Sequence, residues 1–133
     1  LAELSRQIDP ERSSGLDLRP QACRGERFPV DDPTQEPVLT PRPVSDWLYR
    51  RGLLEGLSKI GRDGWQRLQQ LGAPAPKKLV TLGGGARNPQ WRRLRERMLG
   101  LPIRSCTTPP AAGVARLALT ALQQKAAAAS HSE

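Results

Sequence analysis

Residues 79–91 read LVTLGGGARNPQW: a short apolar run, three glycines in a row, then Asn-Pro and the first turn of an arginine-rich segment. An apolar run of four leading into glycine predicts a strand over residues 78–82. Asn88 followed by Pro89 is a helix start, because Asn caps orphan N–H groups and Pro fits the first turn, so a helix is expected over residues 89–99. The glycines then form the hinge between strand and helix, over residues 83–88. Without Cβ atoms they let a ligand lie against the main chain, and N–H groups beside a helix N-terminus attract phosphate oxygens. The pattern is neither a P-loop, since no Gly-Lys-Ser/Thr follows, nor Gly-x-Gly-x-x-Gly, since Asn88 stands where the third glycine belongs. Taken alone, it is equally a tight strand-to-helix turn.

Working outward, Pro102 to Cys106 reads as a second strand and residues 111–128 as a closing helix. The first strand and this one are expected to be neighbours joined by a right-handed crossover through the intervening helix. Upstream, Ser45 is an N-cap with Asp46 in the first turn, and Leu53, Leu57, Ile60, Leu68 and Leu71 mark one face of a long helix that ends at Gly72 and Pro74. Gly52, Gly56, Gly61 and Gly64 interrupt that helix. Their density predicts close approach to another backbone or a break near Gly61 and Gly64. Residues 1–8 suit the last turns of a helix. Residues 9–43 hold seven of the thirteen prolines, which excludes a long helix and leaves an irregular arm with one short strand.

With 133 residues the chain is one domain at most, and with 4% aromatic residues its core is built from Leu and Ala. It carries no basic and apolar leader and no run able to cross a bilayer, so a soluble, cytoplasmic chain without a membrane partner is expected. Cys23 and Cys106 lack partners at metal-ligand spacing and read as reduced, packed thiols. The net charge of +8 is concentrated. Lys77, Lys78, Arg87, Arg92, Arg93, Arg95, Arg97 and Arg104 face only Glu96, a local net of +7. Such a run can neutralise nucleic-acid phosphates, which makes an arginine-rich, non-catalytic nucleic-acid module the alternative reading. No aromatic platform interleaves with these arginines, and Trp91 and Leu94 point to a core, so a solvated helix face is the preferred reading.

LVTLGGGARNPQWRRLRERMLGLPI resembles the adenosine motif of the FGGY carbohydrate kinases: apolar strand, Gly-Gly-Gly-Ala, Asn, Trp-bearing helix and Leu-Gly-x-Pro turn. GERFPVDDP (residues 25–33), GLLEGLSKI (52–60) and AAGVARLAL (111–119) resemble three further segments of that family in the same order. Leu-x-Pro-Arg-Pro before the long helix and Ala-Arg-Leu-Ala-Leu near the end are most similar to the ribulose/xylulose kinase branch. Pro109-Pro110 departs from the Glu-Ala usual at that point.

The resemblance implies an α/β chain, part of an actin-like (ribonuclease H-like) ATPase domain: a long helix plus a β-α-β-α unit. Its divisions are a Pro-rich arm over 1–43, an ATP-side subdomain over 44–128 and a disordered tail over 129–133 that contains His131. Gly83, Gly84, Gly85, Ala86 and Asn88 match the family's ATP-binding positions. The implied activity is γ-phosphate transfer from ATP to a sugar hydroxyl, with Mg²⁺ and the sugar held by the N-terminal portion that this stretch does not include. The Asp-x-Gly-Thr phosphate loop and the catalytic aspartate have no counterpart, and Asp31, Asp32 and Asp46 stand in other motifs, so no catalytic residue and no metal ligand is assigned. Such a fragment is expected to be inactive alone. With too few strands for a full sheet, it should expose a sheet edge and leucines. Glu26 and Arg27 read as an ion pair anchoring the arm.

Overall fold

The computed structural model describes residues 7–129. The elements run α1 (Asp46–Gln70), β1 (Leu79–Thr81), a 3₁₀ turn (Gly84–Arg87), α2 (Pro89–Leu99), β2 (Ile103–Ser105) and α3 (Pro110–Ala129). The strands pair in parallel, with Leu79 beside Ile103, Val80 beside Arg104 and Thr81 beside Ser105. A parallel pair needs a crossover, and α2 supplies it. One face of this small sheet rests on α2, where Leu94 is fully buried and Ile103 nearly so. The Glu96 carboxylate of α2 accepts the Ile103 N–H at 2.9 Å, tying the helix to the second strand.

Helix ends follow their capping residues. Ser45 Oγ accepts from Leu48 N–H at the start of α1, and the chain leaves that helix through Gly72 at φ +94°. Asn88 Oδ1 accepts from Trp91 N–H at 3.0 Å at the start of α2, and Gly100 closes it in the left-handed region.

The long helix departs from its leucine periodicity. It runs unbroken through all four glycines, and the side it buries carries Arg51, Gly52, Glu55, Gly56, Ser58 and Gly64, while Leu57, Leu68 and Leu71 are exposed. The reason is the arm. A Cβ at Gly52 would meet the Leu16 side chain at 2.8 Å, one at Gly56 the Leu18 carbonyl oxygen at 2.3 Å, and one at Gly64 the Phe28 ring. The arm thus lies where side chains of the helix would be, with main chain at Gly56 and with the Leu16 and Phe28 side chains at Gly52 and Gly64, and Leu18 and Ile8 are buried in the process. Close approach to another backbone, one of the two expected uses of these glycines, holds at Gly56; Gly52 and Gly64 instead admit side chains of the arm, and Gly61 faces open space.

Beneath the arm sits a buried polar cluster. Glu55 accepts from Ser14 N–H and from the Ser14 hydroxyl, from Arg51 Nε at 3.4 Å within the helix, and lies 3.7 Å from Arg97 of α2. Arg51 is only 2% exposed, so its charge is stable there because Glu55 neutralises it.

Among the described residues the arm forms no strand. Single antiparallel bridges join Arg19 to Val38 and Glu26 to Asp32. Its prolines interrupt every longer ladder. Glu26 takes the N–H groups of Arg27 and Phe28 and the Gln21 amide, so the GERFP turn is fixed by backbone amides rather than by an ion pair with Arg27. Cys23 is exposed rather than packed, and both cysteines are free thiols. Gln7 and Ile8 are not helical, while the remainder of the helix expected over residues 1–8 lies outside the described residues. At the other end α3 continues through Ala129; residues 130–133 of the expected tail, His131 included, lie outside the described residues as well. Among the described residues no helix is long and apolar enough to cross a membrane.

Candidate functional site

Both strands end at the same edge, and both are followed by a loop that enters a helix. The loop after β1 carries the glycines; the loop after β2 runs from Cys106 to Pro109 into α3. Between them lies a cleft of about 590 Å³, lined by Gly83, Gly84, Ala86 and Arg87 on one side and by Ser105, Cys106 and Thr107 to Pro110 on the other. Crevices outside the carboxyl ends of parallel strands are where α/β folds bind ligands.

The three glycines do different things. Gly83 has φ +84°, a backbone conformation that other residues adopt at a cost, and it turns the chain out of the strand. Gly84 opens the 3₁₀ turn, and a Cβ built there meets nothing within 4 Å, so the space in front of it is empty. Gly85 faces the other way: a Cβ there would come within 2.4 Å of the Trp91 ring. The turn's first internal bond runs from Ala86 N–H to Gly83 O at 3.2 Å. The N–H groups of Gly84 and Gly85 lie ahead of it, where a helical turn has no internal acceptor.

Of the residues singled out in the sequence, Gly83, Gly84 and Ala86 therefore line the cleft. Gly85 and Asn88 shape its wall, one by admitting Trp91 and the other by capping α2. The wall is braced from the long helix. Trp91 Nε1 donates to Ser58 Oγ at 3.1 Å, and Ser58 in turn donates to Leu54 O at 2.7 Å, so the indole backing Gly85 is pinned to α1. Ser105 Oγ donates to Ala86 O at 3.1 Å, fastening the glycine loop to the end of β2.

Sequence reasoning missed the second wall. The signal was present, since residues 102–111 repeat the strand, loop and helix order of residues 79–89, but Ser, Cys and Thr are unremarkable residue types in a loop. Cys106 is held by its own loop: the Thr108 hydroxyl and N–H bond its sulfur and keep the thiol below the usual cysteine range. Among the described residues no group of three or more His, Cys, Asp or Glu side chains could hold a metal ion.

The arginines of α2 do not form a row. Arg92 reaches Ser105 Oγ at 3.4 Å, and Arg95 bonds Thr81 Oγ1 at 3.1 Å while its guanidinium stacks 4.7 Å from the centre of the Trp91 ring. Arg97 faces Glu55, which leaves Arg93 on the solvent side. Three of the four thus serve the fold's own contacts.

No family model matches the chain. Over 56 residues, 42% of its length, it is 32% identical to L-fuculokinase of Escherichia coli (strain K12). The matched stretch is 12% of that protein, so the chain spans a small part of the curated relative's length. The similarity is compatible with a relationship to the sugar kinases and carries no information on which sugar.

Proposed function

We propose that this chain is the C-terminal, ATP-side part of a carbohydrate kinase of the FGGY type, a portion of an actin-like domain. The observation that carries the reading is the open space in front of Gly84, in a glycine-walled cleft at the carboxyl ends of two parallel strands. The partial similarity to a sugar kinase supports it independently.

In this reading ATP lies along Gly83, Gly84 and Ala86, close to the main chain because no side chain intervenes. Gly85 and Asn88, the other two positions of the motif, keep the wall rigid through Trp91 and the α2 cap. ATP supplies the phosphoryl group; this chain binds and orients the nucleotide. Magnesium would be held by phosphate oxygens and by groups outside this chain. The sugar, a pentulose such as D-ribulose or D-xylulose, and the base that activates its hydroxyl belong to the N-terminal portion. The chain alone then binds ATP weakly and transfers nothing, because phosphoryl transfer depends on positioning nucleotide, metal and acceptor together. A nucleic-acid role is less well supported, since Arg92, Arg95 and Arg97 are engaged within the fold.

The test is a nuclear magnetic resonance titration of the chain with ATP. The backbone amides of Gly83, Gly84, Ala86 and Cys106 should shift together and saturate in the millimolar range, while amides of the arm stay in place. Shifts confined to the arm or to exposed arginines, or none at all, would overturn the assignment.

A further inference from the structure

The cleft beside the glycines holds a charge that the fold leaves unused. Among the described residues lining it, Arg87 is the one cation and none is a carboxylate; the other polar side chains are the hydroxyls of Ser105, Thr107 and Thr108 and the Cys106 thiol. Ser105 and Thr108 are committed, to Ala86 O and to the Cys106 sulfur. Arg87 is not. Arg92, Arg95 and Arg97 each reach a group of the fold, whereas Arg87 is exposed and has no hydrogen-bond or ion-pair partner among the described residues. Its place on the 3₁₀ turn explains where it stands. Three residues complete one turn of such a helix, so residue 87 rises on the same side as residue 84. Gly85, between them, faces the Trp91 ring instead. The lining of the cleft agrees: Gly84 and Arg87 border it and Gly85 does not. One turn thus supplies a position without a side chain and, directly beside it, a guanidinium with five N–H donors.

We infer that Arg87 binds the phosphate chain of the nucleotide and makes this chain select its ligand by phosphate charge, triphosphate over diphosphate over monophosphate. The inference rests on the nucleotide reading of the cleft and adds the residue that tells one phosphorylation state from the next. A guanidinium presents paired N–H groups that match two phosphate oxygens, which fixes the anion's orientation as well as its charge. The walls set no carboxylate against that anion. A base stacked on the guanidinium is the competing arrangement, and it makes affinity follow the nucleoside rather than the phosphates.

Nuclear magnetic resonance titrations of the full chain with ATP, ADP, AMP and adenosine, without magnesium, test it. Parent affinity should fall severalfold with each phosphate removed. Arg87→Gln should weaken ATP about tenfold, the cost of one charge-assisted pair, and leave adenosine within about twofold, so that the series flattens. Arg87→Lys should recover part of the loss, because it returns the charge without the fork. Inorganic tripolyphosphate should compete with ATP on the parent and fail to do so on Arg87→Gln. Circular dichroism and Tm should stay as in the parent, since the side chain has no partner in the fold. Equal ATP affinity in the parent and Arg87→Gln would overturn the inference. So would an equal loss for ATP and adenosine, which would put the base on the guanidinium. Gly84→Val separates the two claims. If it weakens ATP and Arg87→Gln does not, the cleft is the nucleotide site and Arg87 has no part in it; if neither variant changes ATP binding, the nucleotide reading of the cleft falls and the inference with it.

Discussion

Gly56 in the long helix and Gly84 in the loop after β1 both do without a Cβ, but a Cβ at Gly56 would lie 2.3 Å from the Leu18 carbonyl oxygen, whereas one at Gly84 would meet nothing within 4 Å. The first absence is already filled by the protein's own main chain; the second leaves room for something else. Around Gly56 the surroundings are closed: the arm covers the helix, Glu55 is saturated with donors, and Arg51 is buried. Around Gly84 they are open, with a cleft in front and a braced wall behind. Substitutions should therefore affect stability in the first region and binding in the second.

The largest effect is expected from Glu55→Ala. It removes the acceptor for Ser14 and leaves the Arg51 charge buried without a counterion, a loss of about 3–5 kcal/mol. Chemical denaturation measures it, and a loss below 1 kcal/mol would show that water reaches Arg51 and that the arm is not sealed. Next is Gly56→Ala. The main chain of the arm must move to admit a methyl group, so a net loss of about 1–3 kcal/mol is expected despite the better helix propensity of alanine. Gly61→Ala is the control within the same helix. Nothing stands near it, so it should stabilise by roughly 0.5–1 kcal/mol and raise Tm by a few degrees.

These contrasts also separate what the sequence disclosed from what it withheld. Helix ends were legible because Ser45, Asn88, Gly72 and Gly100 act locally, through the next few residues of chain. The strand, loop, helix and strand order around the glycines was legible for the same reason. The buried side of α1 was not. Leu53, Leu57, Ile60 and Leu68 draw a clean periodic stripe, yet the covered side is the one with glycines, because what decided it was an arm tens of residues away. The candidate site divided along the same line. Gly83 and Gly84 were readable from their position after the strand, whereas the opposite wall comes from a loop of ordinary residues that only the parallel pairing of β1 and β2 brings alongside.

A smaller effect concerns acidity. Glu26 is held below the usual carboxylate range by the Arg27 and Phe28 N–H groups, and Asp32 by the Thr34 hydroxyl and N–H. Because the folded values are depressed, the contribution of these groups is present above the ordinary carboxylate pKa and is lost as pH falls through the lower folded values. Amide-exchange protection in the arm, taken relative to the intrinsic rate at each pH, should fall below about pH 4 while α2 stays protected. Equal loss of protection in both would show that the arm is not a separate unit of stability.

The difference between the two glycines can be put to a single comparison of ATP affinity, by isothermal titration of the chain and of its Gly84→Val variant. A Cβ at residue 84 meets nothing within 4 Å, so for valine there Tm should stay within about 2 °C of the parent while the ATP Kd rises at least about tenfold, equivalent to roughly 1.4 kcal/mol. If the variant keeps Tm and binds ATP as the parent does, the space in front of Gly84 is not the nucleotide site, and the glycines serve only to turn the chain from strand to helix.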